Sequence, residues 1–344
     1  MTDIQNERVV LAARPEGRPR PSDFRHETVP LPGPGEGEGE VLLETAFLSL
    51  DPYLRGLMSE PRPYGDRIGI GEVLAGEVVA RVRQSRHPDW REGDTVLSHS
   101  GWQRFAISDG TGLSRIDPAI APVSAALGVL GMPGFTAYAG LRNIGRPRPG
   151  ETVVVAAASG AVGSAVGQIA RIGGARAVGI TTGRDKLAYV KDELGFDAVV
   201  DHAAPDFAEA LARACPDGID VYFELIGGKV WDAVLPLLNP YARIPLCGQT
   251  AHYNDASRGG GADRLPGTMH ELLYRSVTVR GFIQTEFAEA QRPDFLREAT
   301  AWVAEGRLRW REDVVQGLEK APEAFIGLLE GGNFGKPVVR LGEG

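Results

Sequence analysis

The chain has 344 residues, 43% of them hydrophobic and 24% charged, with a net charge of −8. That balance belongs to a soluble globular protein long enough for two domains, and the acidic surplus argues against broad binding to nucleic acid or an anionic membrane. The opening stretch lacks the apolar core of a signal peptide, and no apolar run approaches the roughly 18 residues of a membrane span. Two cysteines, Cys215 and Cys247, cannot build a disulfide framework. A cytoplasmic protein is expected.

The first third is rich in Gly, Pro and short β-like runs. Residues 41–51, 71–82 and 94–108 alternate β-branched and apolar residues between turn signals, and residues 32–40 and 92–94 read as loops. From Thr152 the rhythm changes. "TVVVAAA", "AVGIT", "AVVD", "IDVYFE", "ARIPLCG" and "VTVRGFI" read as strands, with helical periods between the first five. Val162, Val166, Ile169 and Ala170 share one helix face, and Leu187, Val190 and Leu194 another; Phe207 and Leu211 point inward from a third. Strand–helix alternation with short links predicts an α/β, doubly wound parallel sheet. "DFLREATAWVAEGRL" predicts a helix, and "APEAFIGLLEGGNFGKPVVRL" a short helix, a turn and a strand that packs back on the N-terminal domain.

The stretch Ala158-Ser159-Gly160-Ala161-Val162-Gly163 fits G-x-G-x-x-G with Ala in the first place, between a strand and a helix. Gly160 allows close backbone approach to a pyrophosphate, Gly163 allows the helix to lie close on the strand, and the helix N-terminus supplies N–H donors. Gly167 adds a second close-packing position. The end of the next strand decides the cofactor. An NAD site places an acid there for the ribose hydroxyls, and that acid would repel the extra phosphate of NADP. This chain offers Thr181, Thr182 and Gly183, with Arg184 and Lys186 beyond. Asp185 is the rival acid, read instead as the N-cap of the following helix. NADPH is the expected cofactor.

With those residues in view, the chain resembles the zinc-free branch of the medium-chain dehydrogenase/reductase superfamily that holds the leukotriene B4 12-hydroxydehydrogenase/prostaglandin reductases and the bacterial curcumin reductases. The likeness runs nearly end to end, through "LSLDPYLRGLM", "GVLGMPGFTAYAGL", "AASGAVGSAVGQIA", "DAVLPLLNPYARIPLCG", "HYN" and "GLEKAPEAFIGLLEGGNFGKPVVR". It implies a GroES-like, partly open β-barrel domain (residues 1–127 and 301–344) and a Rossmann domain (128–300). It also implies NADPH-dependent reduction of the C=C bond of α,β-unsaturated ketones and aldehydes, and a homodimer paired along "VTVRGFI". Carried over by position, the resemblance puts Gly160, Ala161, Val162 and Gly163 on the pyrophosphate, and Thr182, Gly183 and Lys186 at the 2′-phosphate. His202 falls near the adenosine ribose. Cys247, Gly248, Gln249, Tyr253, Phe282 and Ile283 pass the cofactor, and Asn333 and Gly335 reach it from the tail. One departure is plain: where the family often reads "NVGG", this chain reads Leu225-Ile226-Gly227-Gly228.

Zinc-dependent relatives carry His-Glu in a G-H-E segment of the barrel; here the corresponding segment is Gly71-Glu72-Val73-Leu74-Ala75-Gly76, and the six histidines show no ligand spacing. A metal-free reaction is expected. Hydride addition to an enone creates an enolate, which needs a donor. Tyr253 is the candidate, because its loop follows the fifth strand at the carboxyl edge where open α/β sheets bind ligands. It donates directly or orients a ribose hydroxyl. Tyr53 and Tyr64 are candidates for the substrate pocket, and Arg55 either braces their loop or faces the cofactor. The alternatives are a quinone oxidoreductase and a non-catalytic NADPH-binding protein.

Overall fold

The computed structural model describes residues 4–31, 39–59, 65–255 and 263–342. The chain forms two compact units, Met1–Leu127 with Glu312–Gly344, and Gly128–Arg311.

The first unit begins with an antiparallel pair, β1 (Ile4–Leu11) and β2 (Phe24–Leu31). It continues through β3 (Val41–Ser49), β4 (Val78–Ser85), β5 (Thr95–Ser98), β6 (Phe105–Ser108) and β7 (Ser114–Arg115). The strand expected over 71–82 starts only at Val78; residues 71–77 keep one bridge, Val73 to Val10, because Gly71 turns the backbone left-handed at φ 84°. Trp102 anchors the core. It is buried, stacked on Phe24 at 6.1 Å and edge-on to Phe325 at 5.8 Å.

The second unit carries β8 (Thr152–Val155), β9 (Arg176–Thr181), β10 (Ala198–Asp201), β11 (Ile219–Phe223), β12 (Leu238–Leu246) and β13 (Thr278–Gly281). All pair in parallel, in the order β10-β9-β8-β11-β12-β13. The order reverses between β8 and β11, which creates a switch point at the carboxyl edge. Val153, Val154 and Val155 are fully buried, as a strand covered on both faces requires. On the helices, Val166, Ala170, Val190, Leu194, Phe207 and Leu211 are buried; Val162, Ile169 and Leu187 are half-buried. The chain then returns to the first unit as β14 (Glu312–Gln316) and β15 (Lys336–Arg340), giving the sheet order β14-β15-β3-β4-β5-β7 with β6 beside β3.

Two differences from the sequence reading have clear causes. The helix expected from Asp294 begins at Thr285 and runs to Ala304 straight through Pro293. Proline removes one N–H donor there. Fully buried Phe295 compensates by packing on the rings of Phe135 and Tyr138, both at 5.5 Å, and Asn143 and Gln291 exchange two amide hydrogen bonds, of 2.9 and 2.8 Å. The expected cut at 300/301 falls inside this helix; the unit runs on to Arg311. Gln168 explains why: its amide binds both the N–H and the carbonyl of Arg309, each at 2.8 Å, and Leu308 is buried. Among the described residues no helix is long and apolar enough to cross a membrane.

The helix Ala161–Ile172 lies so close to its neighbours that a Cβ on Gly167 would overlap three ring atoms of the buried Phe196. Gly167→Ala gains about 1 kcal/mol of helix propensity but forces that ring aside. We expect a net destabilisation of about 1–3 kcal/mol, read from the midpoint of a urea unfolding curve; an unchanged midpoint would refute the close packing.

Candidate functional site

The glycine-rich turn leaves β8 through Ala157, which is left-handed at φ 50°, a conformation that strains a residue with a Cβ. The N–H of Gly160 closes the turn on Ala157 O at 2.8 Å, and Gly160 caps the helix Ala161–Ile172. A Cβ on Gly163 would strike the carbonyl oxygens of Ala157 and Ala156. The turn is pinned to the end of β9 twice, by Ala158 N–H to Ile180 O at 3.0 Å and by the Ser159 and Thr181 hydroxyls at 3.0 Å. Gly160, Ala161 and Val162 are half-buried and Gly163 buried, so the helix N–H groups open at the carboxyl edge of the sheet.

Thr182 and Gly183 follow β9. The helix Arg184–Ala188 is capped by Gly183 at φ 95°, not by Asp185 as the sequence suggested; Asp185 stands exposed in the first turn, where the helix dipole favours a carboxylate. The acid that matters here is one that sequence reasoning missed. Asp201, at the end of β10, accepts from the N–H of Ala203 at 2.8 Å, from the Thr182 hydroxyl and from the N–H of Gly183, and these donors hold its pKa below the usual value. Two of these bonds tie it to the Thr182–Gly183 turn. Next to it, the His202 imidazole is pushed toward its neutral form by burial first, then by Lys229 and Lys186, against the pull of Asp201. Lys186, half-buried, and Lys229, exposed, therefore share one neighbourhood. Lys229 was also missed, because it follows β11 and only the fold brings it to His202.

A third group sits where β11 and β12 end. Glu224 is buried and its Oε1 accepts from Tyr222 Oη (3.1 Å) and the N–H groups of Ile226 (2.6 Å) and Gly227 (2.9 Å). Leu225 is also buried, so the residue replacing the family asparagine offers no side-chain polar group; its carbonyl accepts from Thr250 N–H at 3.1 Å. Cys247 and Gly248 are half-buried and both donate to Glu224 O, at 3.0 and 3.2 Å. Burial pushes the Cys247 thiol up to about 12, so it is no nucleophile near neutral pH. Gln249 is exposed. The Tyr253 oxygen lies 3.4 Å from where a Cβ on Gly248 would stand. Phe282 is buried, edge-on to Phe223 at 6.1 Å, and Ile283 is half-buried beside it. Structure thus gathers Gly160–Gly163, Thr182–Lys186, His202 and Cys247–Tyr253 along the carboxyl edge of one sheet.

The first unit holds the remaining candidates. Tyr53 is half-buried against the core. Arg55 is buried and braces its loop, donating to Ser59 Oγ and Gly17 O, both at 2.7 Å. Asn333 turns its amide onto Gly335 O at 2.7 Å, so it closes its own turn; Gly335 takes φ 91°. Tyr64 lies outside the described residues. A buried ion pair links the two stretches: Lys336 Nζ donates to Asp51 Oδ1 at 2.6 Å and to Leu50 O at 2.9 Å. Among the described residues no group of three or more His, Cys, Asp or Glu is placed to hold a metal ion.

The residues present fit NADPH: a pinned glycine turn, a pair of lysines, and a nearby carboxylate tied to the Thr182–Gly183 turn. Known proteins agree. Residues 7–116 match the family described as the N-terminal domain of oxidoreductase, and residues 161–304 the family described as zinc-binding dehydrogenase. The chain is 50% identical over 337 residues to the NADPH-dependent curcumin reductase of Escherichia coli, covering 98% of this chain and 97% of that one. It is 41% identical over 325 residues to prostaglandin reductase 1 of Oryctolagus cuniculus, covering 93% and 89%. The crystal structure of CurA from Vibrio vulnificus in complex with NADPH superposes with a TM-score of 0.93 at 49% identity, over 98% of this chain and 100% of that one. The chain therefore belongs to the medium-chain dehydrogenase/reductase family, with a Rossmann unit and a GroES-like unit, and is an NADPH-dependent reductase of the branch that holds the curcumin and prostaglandin reductases.

Proposed function

We propose that this enzyme reduces the C=C bond of α,β-unsaturated ketones and aldehydes, with Tyr253 as the donor to the developing oxyanion and no metal in the reaction. The observation that carries the reading is the Tyr253 hydroxyl, held against Gly248 at the carboxyl edge of the sheet. Gly160–Gly163 hold the pyrophosphate and Lys186 the 2′-phosphate, with Thr182, Gly183 and His202 alongside. Cys247, Gly248, Gln249, Phe282 and Ile283 line the cofactor from the ends of β12 and β13. Tyr53 is the residue of the first unit proposed to contact substrate. NADPH, when bound, would supply the hydride for the β-carbon of the substrate. Addition at the β-carbon moves the C=C π pair to the bond between the α-carbon and the carbonyl carbon and the C=O π pair onto oxygen, where the Tyr253 O–H stabilises the charge; the α-carbon then takes a proton from solvent and the saturated carbonyl leaves. The names of the relatives support the reaction class, and two free thiols suit a reducing, cytoplasmic setting.

The assembly we propose is a homodimer of this chain. Strand β13 is the edge of its sheet and exposed at every position. An open edge with Val279 on it invites pairing. The helix Leu265–Tyr274 places Leu265, Met269 and Leu273 on one stripe, exposed at 62%, 57% and 75%. A second copy meeting edge to edge about a twofold axis covers such a surface. Light scattering at micromolar concentration should give twice the 36.8 kDa chain mass; a monomer mass would sink the assembly.

Tyr253→Phe should lower kcat on a simple enone by about 10²–10³ with an unchanged unfolding midpoint, and prolonged chelation should leave the parent rate intact. An unchanged rate in the variant would remove Tyr253 from the chemistry. Loss on chelation with recovery on adding zinc would overturn the metal-free reaction, and faster turnover on a simple quinone would overturn the substrate class. Lys186 tests the cofactor side. A 2′-phosphate carries about −1.5 to −2 charge near neutral pH, and a hydrogen bond to a charged group contributes about 1.5–3 kcal/mol, or about 10- to 150-fold in affinity. Lys186→Ala should weaken NADPH binding by that factor and leave NADH nearly unchanged. Equal dissociation constants for NADH and NADPH in the parent would refute the assignment.

A further inference from the structure

The Leu225–Gly228 turn and the Tyr253 loop arrive from different strands, β11 and β12, yet one residue is bonded to both. Glu224 is 1% exposed. Its Oε1 takes the N–H groups of Ile226 and Gly227 and the hydroxyl of Tyr222. Its main-chain carbonyl takes the N–H groups of Cys247 and Gly248. Two further rungs run between the same segments, Thr250 N–H to Leu225 O at 3.1 Å and Ala251 N–H to Ile226 O at 3.0 Å. A Cβ on Gly248 would stand 3.1 Å from Leu225 O and 3.4 Å from the Tyr253 hydroxyl, so a side chain there would meet both the turn and the hydroxyl.

A carboxyl is a costly way to satisfy two N–H groups inside a protein. Glu224 Oε2 is buried with no partner among the described residues, and burial pushes the group toward its neutral form against the pull of its donors. Gly227 and Gly228 are left-handed, at φ 78° and 57°. Convergent N–H groups in such a turn make a concavity that attracts anions. Here Glu224 fills it from within, so the turn serves as a fixed wall, leaving the pyrophosphate to Gly160–Gly163. With an apolar Leu225 next to it, no side chain at that position shares the task.

We propose that Glu224 is a positioning residue for the reduction: it locks the Leu225–Gly228 turn with its side chain and Cys247–Gly248 with its carbonyl, and so sets where the Tyr253 hydroxyl stands. This deepens the function proposed above and rests on Tyr253 as donor. A hydroxyl displaced by an ångström loses much of its effect, so Glu224→Leu should lower kcat about 10- to 100-fold. Glu224→Gln, which keeps an Oε1 acceptor, should recover most of that loss. The deciding measurement is a double-mutant cycle in kcat on a simple enone with Glu224→Leu, Tyr253→Phe and the double variant. If Glu224 acts through Tyr253, the substitution costs clearly less once the hydroxyl is gone. Losses that multiply, or a Gln variant as slow as the Leu variant, overturn the proposal. If Tyr253→Phe alone leaves kcat unchanged, the donor assignment falls instead, and the route proposed for Glu224 falls with it. Should Glu224→Leu fail to fold, Tyr222→Phe removes one donor to Oε1 and takes its place in the same cycle. It should show a smaller loss that vanishes beside Tyr253→Phe, and a loss that persists there overturns the proposal.

Discussion

The absence of two side chains governs the second unit. Gly163 and Gly167 let the helix Ala161–Ile172 lie directly on the turn and on the Phe196 ring, with no room for even a methyl group. With the helix that close, the five residues Ala156–Gly160 suffice to connect β8 to it, and its first N–H groups open at the sheet edge. The turn is then tied sideways to β9 through Ser159 and Thr181, which fixes where Thr182 and Gly183 begin. On its far side the same helix uses Gln168 to hold the backbone of Arg309. One close contact thus sets both the cofactor edge and the extent of the compact unit.

What the sequence made legible is what neighbouring residues encode. The glycine turn, the buried valine strand, the helical periods and the missing acid after β9 each lie within a few positions of chain. The features it hid depend on partners that only folding supplies. Asp201 reads as the last residue of a strand, and its bond to Thr182 requires β10 to lie beside β9. Lys229 reads as an ordinary surface lysine until α/β winding brings it to His202. Asp185, locally the better N-cap, yields to Gly183 because the left-handed turn there needs a glycine. Pro293 shows the opposite failure. The local rule against proline in a helix is sound, but buried Phe295 and the Asn143–Gln291 amide pair outweigh one lost donor.

The cofactor argument changes in kind once Asp201 is seen. The sequence reads NADPH from the absence of an acid, yet an acid stands close by. Asp201, however, already serves the turn after β9. Three donors engage Asp201 and hold its pKa below the usual value, so its carboxylate is tied to the Thr182–Gly183 turn. The two lysines acting on His202 then set the local charge in favour of an anion.

The same distinction applies to the stretches that carried the family resemblance. "LSLDPYLRGLM" and "GGNFGK" look like pieces of a binding site, and they are joined by a buried ion pair, Asp51 with Lys336, across 285 positions of chain. Removing either partner would leave a charge stranded where both side chains are under a tenth exposed. Arg55, from the first of these stretches, spends its guanidinium on the carbonyl of Gly17 and the hydroxyl of Ser59, and Asn333, from the second, spends its amide on Gly335. Likeness in such stretches reports the architecture that holds a loop as much as the chemistry performed there. A polar residue in a motif earns a chemical role only when its hydrogen bonds leave an atom facing the ligand. In the second unit Asp201 and Glu224 hold their turns at the sheet edge, and the hydroxyl of Tyr253 lies 3.4 Å from where a Cβ on Gly248 would stand.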